Sequence, residues 1–307
     1  MAGFDDPAFY GDRWAEVYDE RHGGLDPAAA VEFLAGLAGG GRVLELAIGT
    51  GRVALPLASR GIAVEGVDAS QAMVDRLRAK PGGPAIPVTI GDMAQVPVRG
   101  PFRLVYLVFN SLFGLLDQAR QAGCFASVAR VLEPGGAFAI ECFVPDVARF
   151  DRGQRAETLA VTEDSATLRL SRHDAVQQRI TMQIVTLDEH GMLLRPLALR
   201  YAWPSELDLM AAHAGLQLTE RYADWPGSPL TRPAPSMSRS TSAPDAHQAH
   251  PQQPVVPTAS TRRHYVGELR SPAPFGPHNA CWQRARALWA PVHGPRYRIS
   301  ASAILGL

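Results

Sequence analysis

Between Arg42 and Cys142 short apolar runs alternate with stretches of helical periodicity, and this alternation constrains the chain more than any other feature. Parallel strands cannot be joined by tight turns and need helical crossovers, so the pattern predicts a doubly wound sheet. Strands are expected at Val43 to Leu46, Ala63 to Asp68, Val88 to Gly91, Leu104 to Phe109 and Ala137 to Cys142. Ser70 caps a helix presenting Met73, Val74 and Leu77. Phe125, Val128, Ala129 and Leu132 fall on one face of another, which Glu133-Pro134-Gly135-Gly136 stops.

After Pro145 the period changes to alternating runs without crossovers: Thr167 to Ser171, Arg179 to Leu187, a turn at Asp188 to Gly191, and Met192 to Tyr201. That is an antiparallel insert. A helix starting at Pro204 and closed by Gly215 then leads into a sixth strand, Leu216 to Trp225. The α/β fold class is therefore Rossmann-like, with an antiparallel insert after the fifth strand and a disordered or aberrant C-terminal tail. One domain is expected over residues 1–226, with a helical segment at 8–22, a core at 40–145 and 204–225, and the insert at 160–202. Residues 227–307 form the tail, because from Pro226 to Ser260 there are 8 Pro and 6 Ser in 35 residues and almost no aliphatic periodicity. Such a stretch cannot bury enough apolar surface to offset its ordering entropy.

Charge and cysteine usage narrow the function. Lys+Arg and Asp+Glu number 30 each, so no global field draws the chain to a phosphate backbone or an anionic membrane, and nucleic acid is not an expected partner. Cys124, Cys142 and Cys281 are too far apart for a disulfide framework or a metal knuckle, and no metal is expected. Met1 to Glu20 carries six acids and no apolar run, no stretch has the length of a membrane span, and a cytoplasmic location is expected.

The chemistry concentrates where the first strand turns into a helix, at Glu45-Leu46-Ala47-Ile48-Gly49-Thr50-Gly51-Arg52. Glycines at such a turn let a ligand approach the backbone. Gly49-x-Gly51-x-x-Ala54 with Asp68 also fits a nicotinamide dinucleotide fingerprint, so an NAD(P)-binding oxidoreductase is the second reading. Glu45, Asp68 and Asp92, however, follow one another at strand ends, 23 and 24 residues apart, along the carboxyl edge of the sheet. Three carboxylates line a pyrophosphate poorly. They suit a nucleoside with hydroxyls, an exocyclic amine and an ammonium or sulfonium group.

At ELAIGTGR, GVDAS, GDM, Leu104 to Phe113 and LEPGG, in that order, the chain resembles the class I S-adenosylmethionine-dependent methyltransferases of small-molecule type, over about residues 10 to 225. The resemblance implies S-adenosyl-L-methionine as cofactor and a small-molecule acceptor. It implies that Glu45 and the Ala47 to Gly51 loop hold the methionine part, with Arg52 beside them. Asp68, next to Ala69, would accept the ribose hydroxyls, Asp92 and the Met93 backbone would address the adenine, and Met73 would pack on the base. Ala47 stands where the family usually has its first glycine. Tyr10 and Tyr18 lie in a segment resembling the family's N-terminal lid. Asn110, ending the fourth strand, is placed to touch cofactor or acceptor, and Asn110, Glu141 and His173 are the candidates for catalysis. His213 reads as solvated. Arg172, His173, Arg200, Tyr201 and Trp203 are the insert's candidates for an acceptor pocket. A monomer or weak homodimer is expected, and a non-catalytic binding protein on the same scaffold is the third reading.

The resemblance also implies a seventh, antiparallel strand between the fifth and sixth, where this chain has its Pro/Ser tract. One reading is a shifted frame: Leu230 to Ser242 can be back-translated so that the next frame reads Asp-Ala-Ala-Ser-Ala-Glu-His-Val-Ser-Val-Tyr-Gln, similar to the family's last strand. Residues from about Leu230 would then be an out-of-frame tail. The rival is that Tyr297 to Leu305 loops back as the missing strand.

Overall fold

The computed structural model describes residues 3–230 and 284–291. Two short helices, Phe9–Trp14 (α1) and Tyr18–His22 (α2), come first. Ala28–Ala38 (α3), Val43–Leu46 (β1), Ala54–Ser59 (α4), Val64–Asp68 (β2), Gln71–Arg78 (α5), Val88–Ile90 (β3), Phe102–Leu107 (β4), Gln118–Val131 (α6) and Leu132–Phe143 (β5) then alternate as expected. The insert contains Gln154–Val161 (β6), Ser165–Asp174 (β7), Arg179–Asp188 (β8) and Gly191–Arg200 (β9). Pro204–His213 (α7), Leu216–Tyr222 (β10) and Arg284–Pro291 (β11) complete the described chain.

The larger sheet runs β10-β11-β5-β4-β1-β2-β3, with β1 through β5 all parallel and β11 antiparallel to both its neighbours. Its inner strands β1, β2 and β4 are buried on both faces, as helix-covered parallel strands must be. On β4, Val105 and Leu107 face a core with Phe125 and Val128 of α6 and Leu207 and Met210 of α7. Leu104 and Tyr106 face the opposite core, with Val31 and Leu34 of α3 and Leu57 of α4. Local caps agree with the sequence: Ser70 Oγ accepts from the Met73 amide at 3.2 Å. Among the described residues no helix is long and apolar enough to cross a membrane.

Three expectations change. The insert starts earlier than residue 160, because β6 adds a fourth strand to the sheet β6-β7-β8-β9. Its half-buried positions are the charged Arg155 and Glu157, alternating with exposed Gln154, Ala156 and Thr158, so it carried no apolar signal. The N-terminal helical segment breaks at Ala15 to Val17 into two helices. The tail is not uniformly outside the fold, since Arg284–Pro291 occupies the seventh-strand slot, pairing Arg286 with Glu141 on one side and with Tyr222 on the other. The Arg-Ala-Arg-Ala alternation from Arg284 was the available sequence signal. Tyr297 to Leu305 and most of the Pro/Ser tract lie outside the described residues.

Candidate active site

At the carboxyl edge of the sheet β1 leads to β2 on one side, while β4 lies on the other, the arrangement that opens a crevice in doubly wound folds. The loop after β1 bends sharply: Ala47, Gly49 and Gly51 all have positive φ, at 52°, 57° and 81°. At Ala47 this costs a side-chain-bearing residue on the order of 1 kcal/mol. At Gly51 the positive φ favours glycine, and a Cβ would lie 2.3 Å from Leu77 Cδ1, forcing that side chain to shift.

The main cavity is walled by Tyr10, Tyr18, Ala47, Gly49, Asp68, Ala69, Met73, Asp92, Met93 and Asn110, and on its far side by Pro196 to Leu199 of β9. Asp68 is 8% exposed; its two oxygens accept from the Gly49 amide at 2.7 Å and the Ser70 amide at 2.9 Å. Burial pushes its carboxyl above the ordinary value, against these backbone bonds that pull it down. Asp92 accepts from the Ala94 amide at 2.9 Å and pairs through its other oxygen with Arg120 at 2.6 Å. Arg120 also lines the cavity and carried no sequence signal, since it is brought 28 residues back by α6.

Helices α1 and α2 cover this edge. Ser70 Oγ donates to Asp12 at 2.6 Å, Thr50 Oγ1 donates to Asp19 at 2.6 Å, and Lys80 pairs with Asp19 at 2.7 Å. Trp14 Nε1 donates to the Pro196 carbonyl at 3.2 Å, tying α1 to β9. Gly11 permits this docking, because a Cβ there would lie 2.3 Å from Ser70 Cβ. Burial holds the Tyr10 hydroxyl well above its usual pKa and pushes Tyr18 up to about 12, so both are protonated donors in the cavity wall.

Glu45, Gly51 and Arg52 are not on that wall. Glu45 is 3% exposed beneath the loop, where it accepts from Tyr106 Oη at 2.6 Å. The direction of a side chain leaving a strand end decides this, and sequence spacing does not carry it. Burial pushes Glu45 up to about 8 from 4.5. Between these values the folded chain holds a proton that the unfolded chain has released, so stability falls as pH rises from about 4.5 to about 8, by on the order of 4 kcal/mol. Wild-type Tm is therefore expected to drop, relative to Glu45→Gln, by roughly ten degrees between about pH 5 and pH 8.5. Parallel melting profiles for the two chains would refute this. Arg52 packs its guanidinium 4.8 Å from the Phe109 ring centroid and lines a separate, smaller cavity with Glu141 and Trp225.

The three catalytic candidates divide. Asn110 is on the main wall but committed: its Oδ1 accepts from the Phe143 amide at 2.8 Å. Phe109 and Asn110 are consecutive residues at φ 59° and 63°, and Glu141 holds this strained turn by accepting the Phe109 amide on its side chain at 2.9 Å and the Asn110 amide on its carbonyl at 3.0 Å. Glu141 thus braces the cavity floor without facing the main cavity. His173 is also off that wall, 3.0 Å from Tyr201 Oη and stacked on Phe150. Arg172, Arg200, Tyr201 and Trp203 do not line it either; Arg200 pairs with Glu206 and Gln121. The insert contributes Pro196 to Leu199 instead, an apolar run whose role only the packing reveals.

Residues 43–136 match a family described as a methyltransferase domain. The cypemycin N-terminal methyltransferase of a Streptomyces species is 28% identical over 236 residues, covering 74% of this chain and 94% of that protein. The CcbJ methyltransferase of Streptomyces caelestis is 32% identical, with 94% of this chain and 100% of that chain covered at a TM-score of 0.73. The chain belongs to the class I S-adenosylmethionine-dependent methyltransferases. Its fold is also that of a Clostridium acetobutylicum enzyme at 13% identity and a TM-score of 0.64. The methyltransferase uses S-adenosylmethionine and acts on a small-molecule acceptor; the oxidoreductase and non-catalytic readings are not favoured. The cavity chemistry fits that cofactor: among the described residues its wall holds three carboxylates, Asp6, Asp68 and Asp92, Met73 as an apolar surface, and one cation, Arg120, already paired with Asp92.

Proposed function

We propose that this methyltransferase transfers the methyl group to an amine nitrogen of a small molecule. One observation carries the choice of atom: among the described residues the main cavity wall has no histidine, lysine or cysteine, both its tyrosines are held protonated, and its three carboxylates, Asp6, Asp68 and Asp92, each already accept backbone amides. A hydroxyl acceptor has to lose a proton to a positioned base as it reacts, whereas a neutral amine brings its own lone pair. The cypemycin enzyme, whose name places its reaction at an N-terminus, agrees with this reading.

In this reading Asp68 accepts the ribose hydroxyls, Asp92 and the Met93 amide address the adenine, Met73 packs on the base, and the Ala47 to Gly49 loop receives the methionine part. Glu45 and Gly51 act through the loop rather than by contact. Bound there, the cofactor supplies a methyl carbon on a sulfonium, open to in-line displacement. Tyr10 and Tyr18 close the cavity against water, and the Phe109–Asn110 turn sets the floor against which the acceptor is held in line, which is where most of the rate comes from. Arg120 holds Asp92 in place through their ion pair. Zero net charge and a concave cavity favour a free small molecule over nucleic acid.

The test is labelled methyl transfer from S-adenosylmethionine to a panel of small amines and their matching alcohols. Turnover is expected for amines alone, with a rate that rises with pH along each acceptor's own pKa. Turnover of an alcohol, or a pH profile independent of the acceptor, would overturn the nitrogen assignment.

A further inference from the structure

The inner face of the antiparallel insert carries more positive charge than its own carboxylates neutralise. Glu157, Arg169, Ile184 and Arg195 are direct cross-strand partners on β6, β7, β8 and β9, so all four project from one face. Glu157 alone answers three guanidiniums, from Arg149 at 2.9 Å, Arg155 at 2.7 Å and Arg169 at 2.8 Å. Arg155 Nε is nevertheless buried without a partner. Arg195 and Arg21 add two further charges, and among the described residues neither has a carboxylate partner. The cluster holds five guanidiniums and one carboxylate.

Two independent observations place the surplus charges beside the main cavity. Along β9 side chains alternate, so Arg195 shares its face with Leu197 and Leu199, which wall the cavity; the step from Arg195 to Leu197 is about 7 Å. From the other side, Arg21 lies 5.6 Å from the Trp14 ring centroid, and Trp14 stacks on Tyr10, another wall residue, at 5.5 Å. Trp14 also bonds the Pro196 carbonyl and packs with Ile184, which sits between Arg169 and Arg195. Arg21 and Arg195 therefore converge on the junction of α1 and β9. Partial desolvation, and then Arg195 and Arg169, hold the Arg21 guanidinium below its usual pKa, while Tyr10 pulls the other way.

We propose that Arg21 and Arg195, backed by the Arg149–Arg155–Arg169 cluster on Glu157, form an oxyanion subsite at the cavity mouth that takes a carboxylate or phosphate group of the acceptor. Guanidiniums suit such groups because their forked donors match paired oxygens. That the anion belongs to the acceptor rests on the methyltransferase reading; the subsite itself does not. It selects amines bearing an anionic group and orients them with the nitrogen toward Tyr10 and Asn110.

Calorimetric titration of the S-adenosylhomocysteine-loaded chain with citrate and, separately, with inorganic phosphate tests this, the stronger of the two identifying the oxyanion. Saturable binding is expected, weakened at least about tenfold in Arg21→Gln/Arg195→Gln, a change worth about 1.4 kcal/mol. Arg172→Gln, on the opposite face of the same strand pair, is expected to bind as wild type does. Absence of saturable binding by the wild type, unchanged binding by the double variant, or an equal loss in Arg172→Gln would each overturn the subsite. Each single variant is expected to weaken binding about threefold, so the question is still answered if the double variant melts early. A wild-type chain that fails to take up S-adenosylhomocysteine would defeat the cofactor assignment, and the anion titration would then be read on the unloaded chain.

Discussion

Asp68→Asn is expected to lower the affinity for S-adenosylhomocysteine at least a hundredfold, measured by calorimetry, in a chain that stays folded but melts a few degrees lower. Asp68 is the cavity's most enclosed carboxylate, and its backbone bonds to Gly49 and Ser70 hold it rigidly at the end of β2. Two oxygens with lone pairs to spare accept both hydroxyls of a ribose, and each charge-assisted bond contributes about 1.5 to 3 kcal/mol. Asparagine keeps the shape but replaces one acceptor by a donor, which faces the Gly49 or Ser70 amide or a ribose hydroxyl. The loss of about 3 kcal/mol or more corresponds to the stated factor. Binding within about threefold of wild type would remove Asp68 from the ribose assignment.

A chain ending at Leu230 is expected to lose its cooperative fold. Such a chain lacks Arg284–Pro291, the strand between β5 and β10, and so exposes two rows of backbone groups at once. Twelve register pairs flank β11, six on each side, and about half the groups they carry bond across each gap. At roughly 1 kcal/mol for each bond, and more where a group stays buried and unpaired, the loss is on the order of 10 kcal/mol, the size of a whole domain's stability. Circular dichroism and melting of the shortened chain against residues 1–307 check this. A Tm within a few degrees of the full chain would show that the strand adds nothing. A third chain, with the tail from Leu230 replaced by the shifted-frame sequence ending in His-Val-Ser-Val-Tyr-Gln, tests whether that strand fills the slot better. A higher Tm than the full chain supports the shifted frame, and a lower one favours the present tail.

Periodicity is a local property, and it determined the crossover topology from β1 to β5, the insert's hairpins and the capping of α5 by Ser70. It also set Asp68 and Asp92 at one sheet edge, since residues ending successive parallel strands must lie side by side. Glu45 shows where that reasoning stops: it sits at the same edge, but its side chain passes under the loop to Tyr106, a partner 61 residues away. Tertiary structure alone decided that Arg120 completes the cavity, that Glu141 braces a strained turn instead of facing a ligand, and that β9 supplies the apolar wall. It also gathered five arginines from three separate stretches of chain onto one carboxylate and one cavity mouth. Pairing across a sheet depends on which strands become neighbours, and no spacing within a strand encodes that. For the same reason the seventh strand came from Arg284–Pro291, far beyond the last helical crossover, where two open edges needed hydrogen-bond partners.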